Sequence, residues 1–259
     1  MLIDTHAHLT DVSFDADRAE TLKRAEGTQV GIIIEIACDP ADWQPTKIFA
    51  DTNKNIYTAY GIHPSYTEKL NDENMAALPS YLNLPKAVAV GETGLDYHWD
   101  PIHKKLQREY FAKHLDLAIE LNKPVIMHCR SAYDDLIKIL TDYHDKGRLS
   151  RGVVHCFSGT PEEAHKITEL GFLLGICAPV TYPKSDKLKQ TVLEIDISKL
   201  LIETDSPYLP PQNYRGKRNE PAYVAHTAQK IAEIKQVSPD FVAKATTENA
   251  LKLFNITVS

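Results

Sequence analysis

Cysteine is scarce in this 259-residue chain and nowhere paired in sequence: Cys38, Cys129, Cys156 and Cys177 lie far apart and form no C-x-x-C motif. That argues against a zinc ribbon or a disulfide scaffold and fits a reducing compartment. No stretch approaches the eighteen or so apolar residues of a membrane span. The opening Met1-Leu2-Ile3-Asp4 carries an acid where a signal peptide needs basic residues and a long apolar run. A cytoplasmic protein is expected. Positive charge is not in surplus either, with 29 lysines and arginines against 35 aspartates and glutamates and a net charge of −6. Proteins that coat duplex nucleic acid neutralise phosphates and normally show the opposite balance, so any nucleic-acid contact must come from a local cluster. With 43% hydrophobic and 25% charged residues, the chain has the balance of a folded protein, which excludes disorder and collagen-like repeats.

Short β-branched runs alternate with helical patterns throughout. The strand candidates are 2–6, 30–37, 56–61, 87–92, 124–128, 152–155, 172–176 and 200–205. Runs such as Gly31-Ile32-Ile33-Ile34 and Val88-Ala89-Val90 are continuously apolar, as parallel strands covered on both faces require. Helical spacing marks 15–27, 103–121, 131–145, 160–170, 220–235 and 238–254. Thr160-Pro161-Glu162-Glu163 combines an N-cap, a proline at the first helical position and acids in the first turn. Eight strand–helix units with no Gly/Ser-rich linker and no break in composition predict one domain over 1–259, a closed (β/α)₈ (TIM) barrel. The alternative is an open doubly wound sheet, which usually carries a glycine-rich nucleotide turn after its first strand. Here histidines follow instead.

Barrel chemistry collects at the C-terminal ends of the strands. Five of the 11 histidines (His6, His8, His63, His128 and His155) fall at predicted strand ends, with Glu92 ending strand four and Glu203 and Asp205 ending strand eight. The pair in His6-Ala7-His8 is weak evidence alone, because about 0.5 such pairs arise by chance at this histidine content. Any one of these imidazoles alone reads more readily as a satisfied buried side chain than as a ligand. As a set they do not, because imidazoles and carboxylates converging on one mouth are costly to desolvate uncompensated. A divalent cation compensates both. Six candidate ligands, His6, His8, Glu92, His128, His155 and Asp205, exceed the three that one catalytic zinc usually takes from protein. Two ions bridged by Glu92 would use them all. No lysine ends a strand, so a carbamylated-lysine bridge is not expected. Cys129 and Cys156 directly follow ligand positions and should turn toward the helices as small core residues.

The chain resembles the TatD-like metal-dependent hydrolases of the amidohydrolase superfamily. The resemblance rests on IDTHAHL at 3–9, YGIHP at 60–64, VGETGLDY at 90–97, HCR at 128–130, HCFSG at 155–159, ETDSPYL at 203–209 and RGKRNEP at 215–221. It implies a barrel with His6, His8, Glu92 and Asp205 at one metal and Glu92, His128 and His155 at the second. It also implies magnesium-dependent deoxyribonuclease activity, often 3′ to 5′ on single strands. Imidazole-rich sites favour zinc or manganese over magnesium, so the two divalent ions are expected to be Mg, Mn or Zn.

The expected reaction is in-line attack of an activated water on phosphorus, with Asp205 as general base. Glu203 is a candidate for protonating the leaving group or for orienting a ligand from behind. His63 would contact the scissile phosphate, and Arg130, on the face of His128, would clamp a phosphate oxygen. Arg215 and Arg218 lie in the cationic loop after strand eight, a region where barrels often bind phosphate. Tyr66, Tyr97, Trp99, Tyr182 and Tyr208 follow strand ends and either stack unpaired bases or pack the rim. The partner implied is nucleic acid, single-stranded DNA ends, with no membrane and no obligate protein partner. Hydrolysis of a small ester, amide or lactone, removal of a D-aminoacyl group from tRNA, and a metal-binding scaffold without turnover are the alternatives.

Overall fold

The computed structural model describes residues 1–148 and 151–257. Eight strands make one parallel sheet, each paired with the next in sequence: β1 (Leu2–Ala7), β2 (Val30–Ala37), β3 (Ile56–Tyr60), β4 (Ala87–Asp96), β5 (Val125–Arg130), β6 (Gly152–Val154), β7 (Leu173–Ile176) and β8 (Leu200–Ile202). A parallel bridge between Ala7 and Ser206 closes the ring. There the Asp205 amide donates to the His6 carbonyl at 2.9 Å and the His8 amide to the Ser206 carbonyl at 2.7 Å. Buried Asp4 staples the same seam by accepting the Thr204 amide and hydroxyl at 2.9 and 2.6 Å. Closure makes this a (β/α)₈ barrel and removes the open-sheet alternative.

Nine α-helices surround the sheet among the described residues: α1 (Arg18–Gly27), α2 (Trp43–Thr52), α3 (Asp72–Leu82), α4 (Lys104–Glu120), α5 (Tyr133–Asp145), α6 (Pro161–Glu169), α7 (Asp186–Glu194), α8 (Val224–Lys235) and α9 (Pro239–Phe254). Six match the helical patterns of the sequence. The other three are α2, α3 and α7, and Pro45 and Pro79 blur the signal of the first two. The α6 N-terminus carries the expected N-cap, and Thr160 and Glu163 exchange hydrogen bonds there as a capping box.

Strand alternation divides the apolar side chains in two. One set, with Ile33, Val90, Met127, Leu174 and Ile202, packs outward against Phe111, Leu115 and Leu136 of the helices, and Cys129 belongs to it. The other, with Ile3, Ile34, Ala89, Ile126, Val153 and Leu201, fills the barrel and is joined by Leu253 and Phe254 of α9. The barrel is therefore packed solid except at its C-terminal mouth. Among the described residues no helix is long and apolar enough to cross a membrane.

Candidate metal centre

The same alternation aims the polar side chains. Ile126, Val153 and Leu201 face the barrel interior, so His128, His155 and Glu203, two residues further on, keep that face. His6 stands within β1 and His8 in the turn after it. Buried Glu35 holds that turn by accepting the Leu9 and Thr10 amides at 2.7 and 2.8 Å. Glu92 does not end its strand as the sequence suggested, because β4 continues to Asp96. Its register against β5 shifts between Val90 and Thr93, a bulge that sets Glu92 at the site. The bulge needs glycine: Gly91 has φ +145°, and a Cβ there would stand 2.5 Å from the Ile126 carbonyl oxygen. Asp205 lies beyond β8 with φ +56°, a left-handed conformation that aspartate tolerates better than most residues.

Glu92 is the hub. Its Oε1 lies 2.6 Å from His155 Nε2, 3.0 Å from His128 Nδ1 and 3.6 Å from His63 Nε2, and its Oε2 lies 3.4 Å from His6 Nε2. Asp205 Oδ1 stands 3.4 Å from His8 Nε2 and 3.7 Å from His6 Nε2. Ligand atoms gather in three groups, each within 4.8 Å: His6–Glu92–His155, His6–His8–Asp205 and His63–Glu92–His128. His128 and His155 also approach each other at 3.3 Å beside Glu92. All six expected ligands thus converge on one place.

The donor set fits divalent cations. Both ring nitrogens of His6 are buried without a hydrogen-bond partner. An orphaned nitrogen in such a place is costly unless something electrophilic meets it. Burial works against charge on His8, yet Asp205 outweighs it and lifts the ring to about 9. Burial also opposes charge on His128, and Asp96 with Glu92 likewise lifts it to about 9. Burial would push Glu92 up, but the surrounding imidazoles, His155 first, hold it well below the usual carboxylate range. Asp205 is lowered against its burial by His8, His6 and His155. Protons on imidazole here supply the positive charge that a bound cation supplies on displacing them.

His63 differs from the others. The Ser65 amide donates to its Nδ1 at 3.1 Å, so the neutral ring carries its proton on Nε2, facing Glu92 and the cavity. Burial and the nearby His128 pull its pKa down to about 3. Its geometry is that of a neutral N–H donor, and ligation through Nε2 would require breaking the Ser65 contact.

A cavity of about 510 Å³ opens over this cluster and reaches Thr10, Asp11, Asp42, Tyr66, Trp99 and Tyr208 at its rim. Several expected site residues lie elsewhere. Glu203 is fully buried beneath the site, accepting the Thr5 hydroxyl at 3.1 Å and the Cys156 amide, with His155 Nδ1 3.7 Å away. It does not line the cavity, so the role in protonating a leaving group has no geometric support, whereas support of His155 from behind does. Arg218 is spent on structure, its guanidinium bidentate to Asp17 at 2.7 and 2.8 Å and 4.3 Å from the Phe14 ring. Arg215 stacks over Tyr182 at 4.7 Å, away from the cavity. Of the 215–221 segment, Asn219 does the local work: its side-chain amide donates to the Thr204 and Tyr208 carbonyls at 2.8 and 2.7 Å and so fixes the turn bearing Asp205. Arg130 lies at the rim, stacked on Trp99. The sequence reading missed Asp96, whose Oδ2 meets His128 Nε2 at 2.9 Å and orients that ring. Its place four residues after Glu92 was the available signal, hidden by the bulge.

Fold and centre together define a metal-dependent hydrolase built on a (β/α)₈ barrel. The chain belongs to the TatD family: the family model described as TatD related DNase matches residues 3–255. The metal-dependent hydrolase YabD of Bacillus subtilis is 40% identical over 256 residues, covering 99% of this chain and all of that one. The crystal structure of YjjV, the TatD homologue of Escherichia coli K12, superimposes with a TM-score of 0.93 at 32% identity, covering 99% and 98% of the two chains. A TatD family hydrolase from Entamoeba histolytica gives 0.87 at 26% identity, with 99% and 98% covered.

Proposed function

We propose that this hydrolase cleaves phosphodiesters, acting as a deoxyribonuclease that removes nucleotides from the 3′ ends of single-stranded DNA. The observation that carries the reading is the position of Glu92, whose Oε1 faces His128 and His155 at 3.0 and 2.6 Å while its Oε2 faces His6 at 3.4 Å, as a carboxylate shared by a paired-cation site requires. His6, His8, Glu92 and Asp205 would hold one ion, and Glu92, His128 and His155 the other. When bound, such ions make water acidic enough to lose a proton near neutral pH and offset charge on the phosphoryl oxygens. Asp205, whose side chain lines the cavity, accepts the proton of the attacking water. His63 donates its Nε2–H to a non-bridging phosphoryl oxygen, and Asp96 keeps the His128 ring in place.

A second reading, hydrolysis of a small ester or of a D-aminoacyl ester on tRNA, has one observation in its favour. Among the described residues no lysine or arginine lines the cavity, while Asp11 and Asp42 do, which suits a substrate bearing an ammonium group. Purified protein, chelated and then reloaded with Mg, Mn or Zn, is assayed on 5′-labelled single-stranded DNA, bis(4-nitrophenyl) phosphate, a lactone panel and D-aminoacyl-tRNA. Metal-dependent shortening of the DNA from its 3′ end is expected. Turnover of acyl esters alone would replace the first reading with the second, and absence of any turnover would favour a scaffold. Asp205→Asn should abolish turnover while leaving the circular dichroism unchanged, and retained hydrolysis would remove Asp205 from its role.

A further inference from the structure

The mouth of the cavity is two-sided in charge. Beyond β1 and β2 it is lined by Asp11 and Asp42, and the Asp42 carboxyl feels Asp39 and Asp11, opposed by His8 and by Lys69, which pairs with Asp39 at 3.2 Å. Across the mouth, beyond β4 and β5, the rim carries Trp99, 68% exposed although it lines the cavity. The Arg130 guanidinium lies 5.2 Å from the Trp99 ring centre and, among the described residues, has no carboxylate in ion-pair reach. On the same side Lys104 Nζ stands 4.5 Å from the Tyr97 ring centre. His98 meets the Trp99 ring in a T-shaped contact at 4.8 Å, and most of the Trp99 side chain still faces solvent.

The geometry points to a strand-binding track, and we propose that the nucleic-acid strand leaves the metal centre over Trp99 and Arg130. A base stacks on the exposed Trp99 ring, and the stacked guanidinium keeps its N–H donors free for the neighbouring phosphate. Asp11 and Asp42 repel a polyanion and close the β1–β2 side to it. The cationic loop after β8 takes no part, since Arg218 is bound to Asp17 and Arg215 stacks on Tyr182, which does not line the cavity, whereas Trp99 does. This inference rests on the phosphodiester reading and adds the direction of the substrate and the residues that select a strand over a small ester.

The chain has two tryptophans, and Trp43 is only 2% exposed, so fluorescence quenching by a ligand reports on Trp99. Manganese-loaded protein is titrated with a phosphorothioate oligothymidylate, and the hydrolysis of oligothymidylate and of bis(4-nitrophenyl) phosphate is measured in parallel. Quenching is expected in the wild type and absent in Trp99→Phe. Trp99→Ala should weaken oligonucleotide binding about tenfold. Arg130→Gln should weaken it severalfold and lower the salt-dependence slope by about one ion. Both variants should hydrolyse the small diester within about twofold of wild type, because a stacked base and a remote phosphate are absent from it. Asp42→Asn should bind the oligonucleotide more tightly. Wild-type cleavage of oligothymidylate without quenching, and with both variants binding as wild type does, would overturn the track and leave the phosphodiester reading intact. Failure of the wild type to bind or cleave oligonucleotides at all would overturn both.

Discussion

Acid should cost this fold stability through a residue that touches no substrate, His114 of α4. Its ring is fully buried, with Nδ1–H donating to the Tyr110 carbonyl at 2.7 Å and Nε2 accepting the Ile62 amide at 3.2 Å. The neutral ring is thus satisfied at both nitrogens, and a proton on Nε2 would point at another N–H. Burial takes its pKa from 6.5 down to about 4. An unfolded chain binds a proton at this position below pH 6.5, while the folded chain stays neutral until about pH 4. The contribution is therefore complete above pH 6.5 and drains away between 6.5 and 4. The 2.5-unit gap sets a ceiling of about 3 kcal/mol, of which about 2 kcal/mol is lost between pH 7.5 and 5.0. His114→Gln removes the titration while keeping a donor and an acceptor. Urea unfolding of both proteins at the two pH values isolates the effect, since the ligand histidines titrate in both. The wild type's advantage over the variant should shrink by about 2 kcal/mol at pH 5.0, and an unchanged advantage refutes the argument. Because Ile62 precedes His63, the same contact also holds the N–H donor of the site.

Three further outcomes follow from the geometry. His63→Ala should retain the full metal content measured by elemental analysis, whereas Glu92→Ala should lose it, because Glu92 is shared between ligand groups and the His63 Nε2 lone pair is taken by a proton. Chelation should lower the melting temperature of the wild type and leave Glu92→Ala unmoved, with bound metal worth about 2.7 kcal/mol at a hundredfold excess over its Kd. Arg218→Gln should lower thermal stability without changing KM for oligonucleotides. The Asp17 carboxyl, held by Arg218 and Arg24 below its usual 3.8, gives stability that is present above that pH and lost as acid protonates it, and the variant should lose less between pH 4 and 2.

Strand order and the convergence of His6, His8, His128, His155 and Asp205 were legible in the sequence because both depend on short-range rules. Apolar β-branched runs mark strands, and period-two alternation states which neighbours share a face. The resemblance across seven motifs then placed the pattern in a family. The helices α2 and α3 escaped because Pro45 and Pro79 interrupt their helical pattern, and the extension of β4 to Asp96 escaped because its cause, a bulge against Ile126, lies in a neighbouring element.

What tertiary structure alone decided is the occupation of each charged group. Glu203 and Asp205 are two residues apart on one strand end, yet one is sealed under His155 and the other faces the cavity. Arg130 and Arg218 both read as phosphate binders, yet Asp17, 201 positions from Arg218, claims only the second. A charged side chain settles wherever an opposite charge or a ring stands within a few ångströms. That neighbour comes from closure of the barrel, so the chain determines by itself which groups meet at the mouth, and only the closed fold determines which of them remain free to act there.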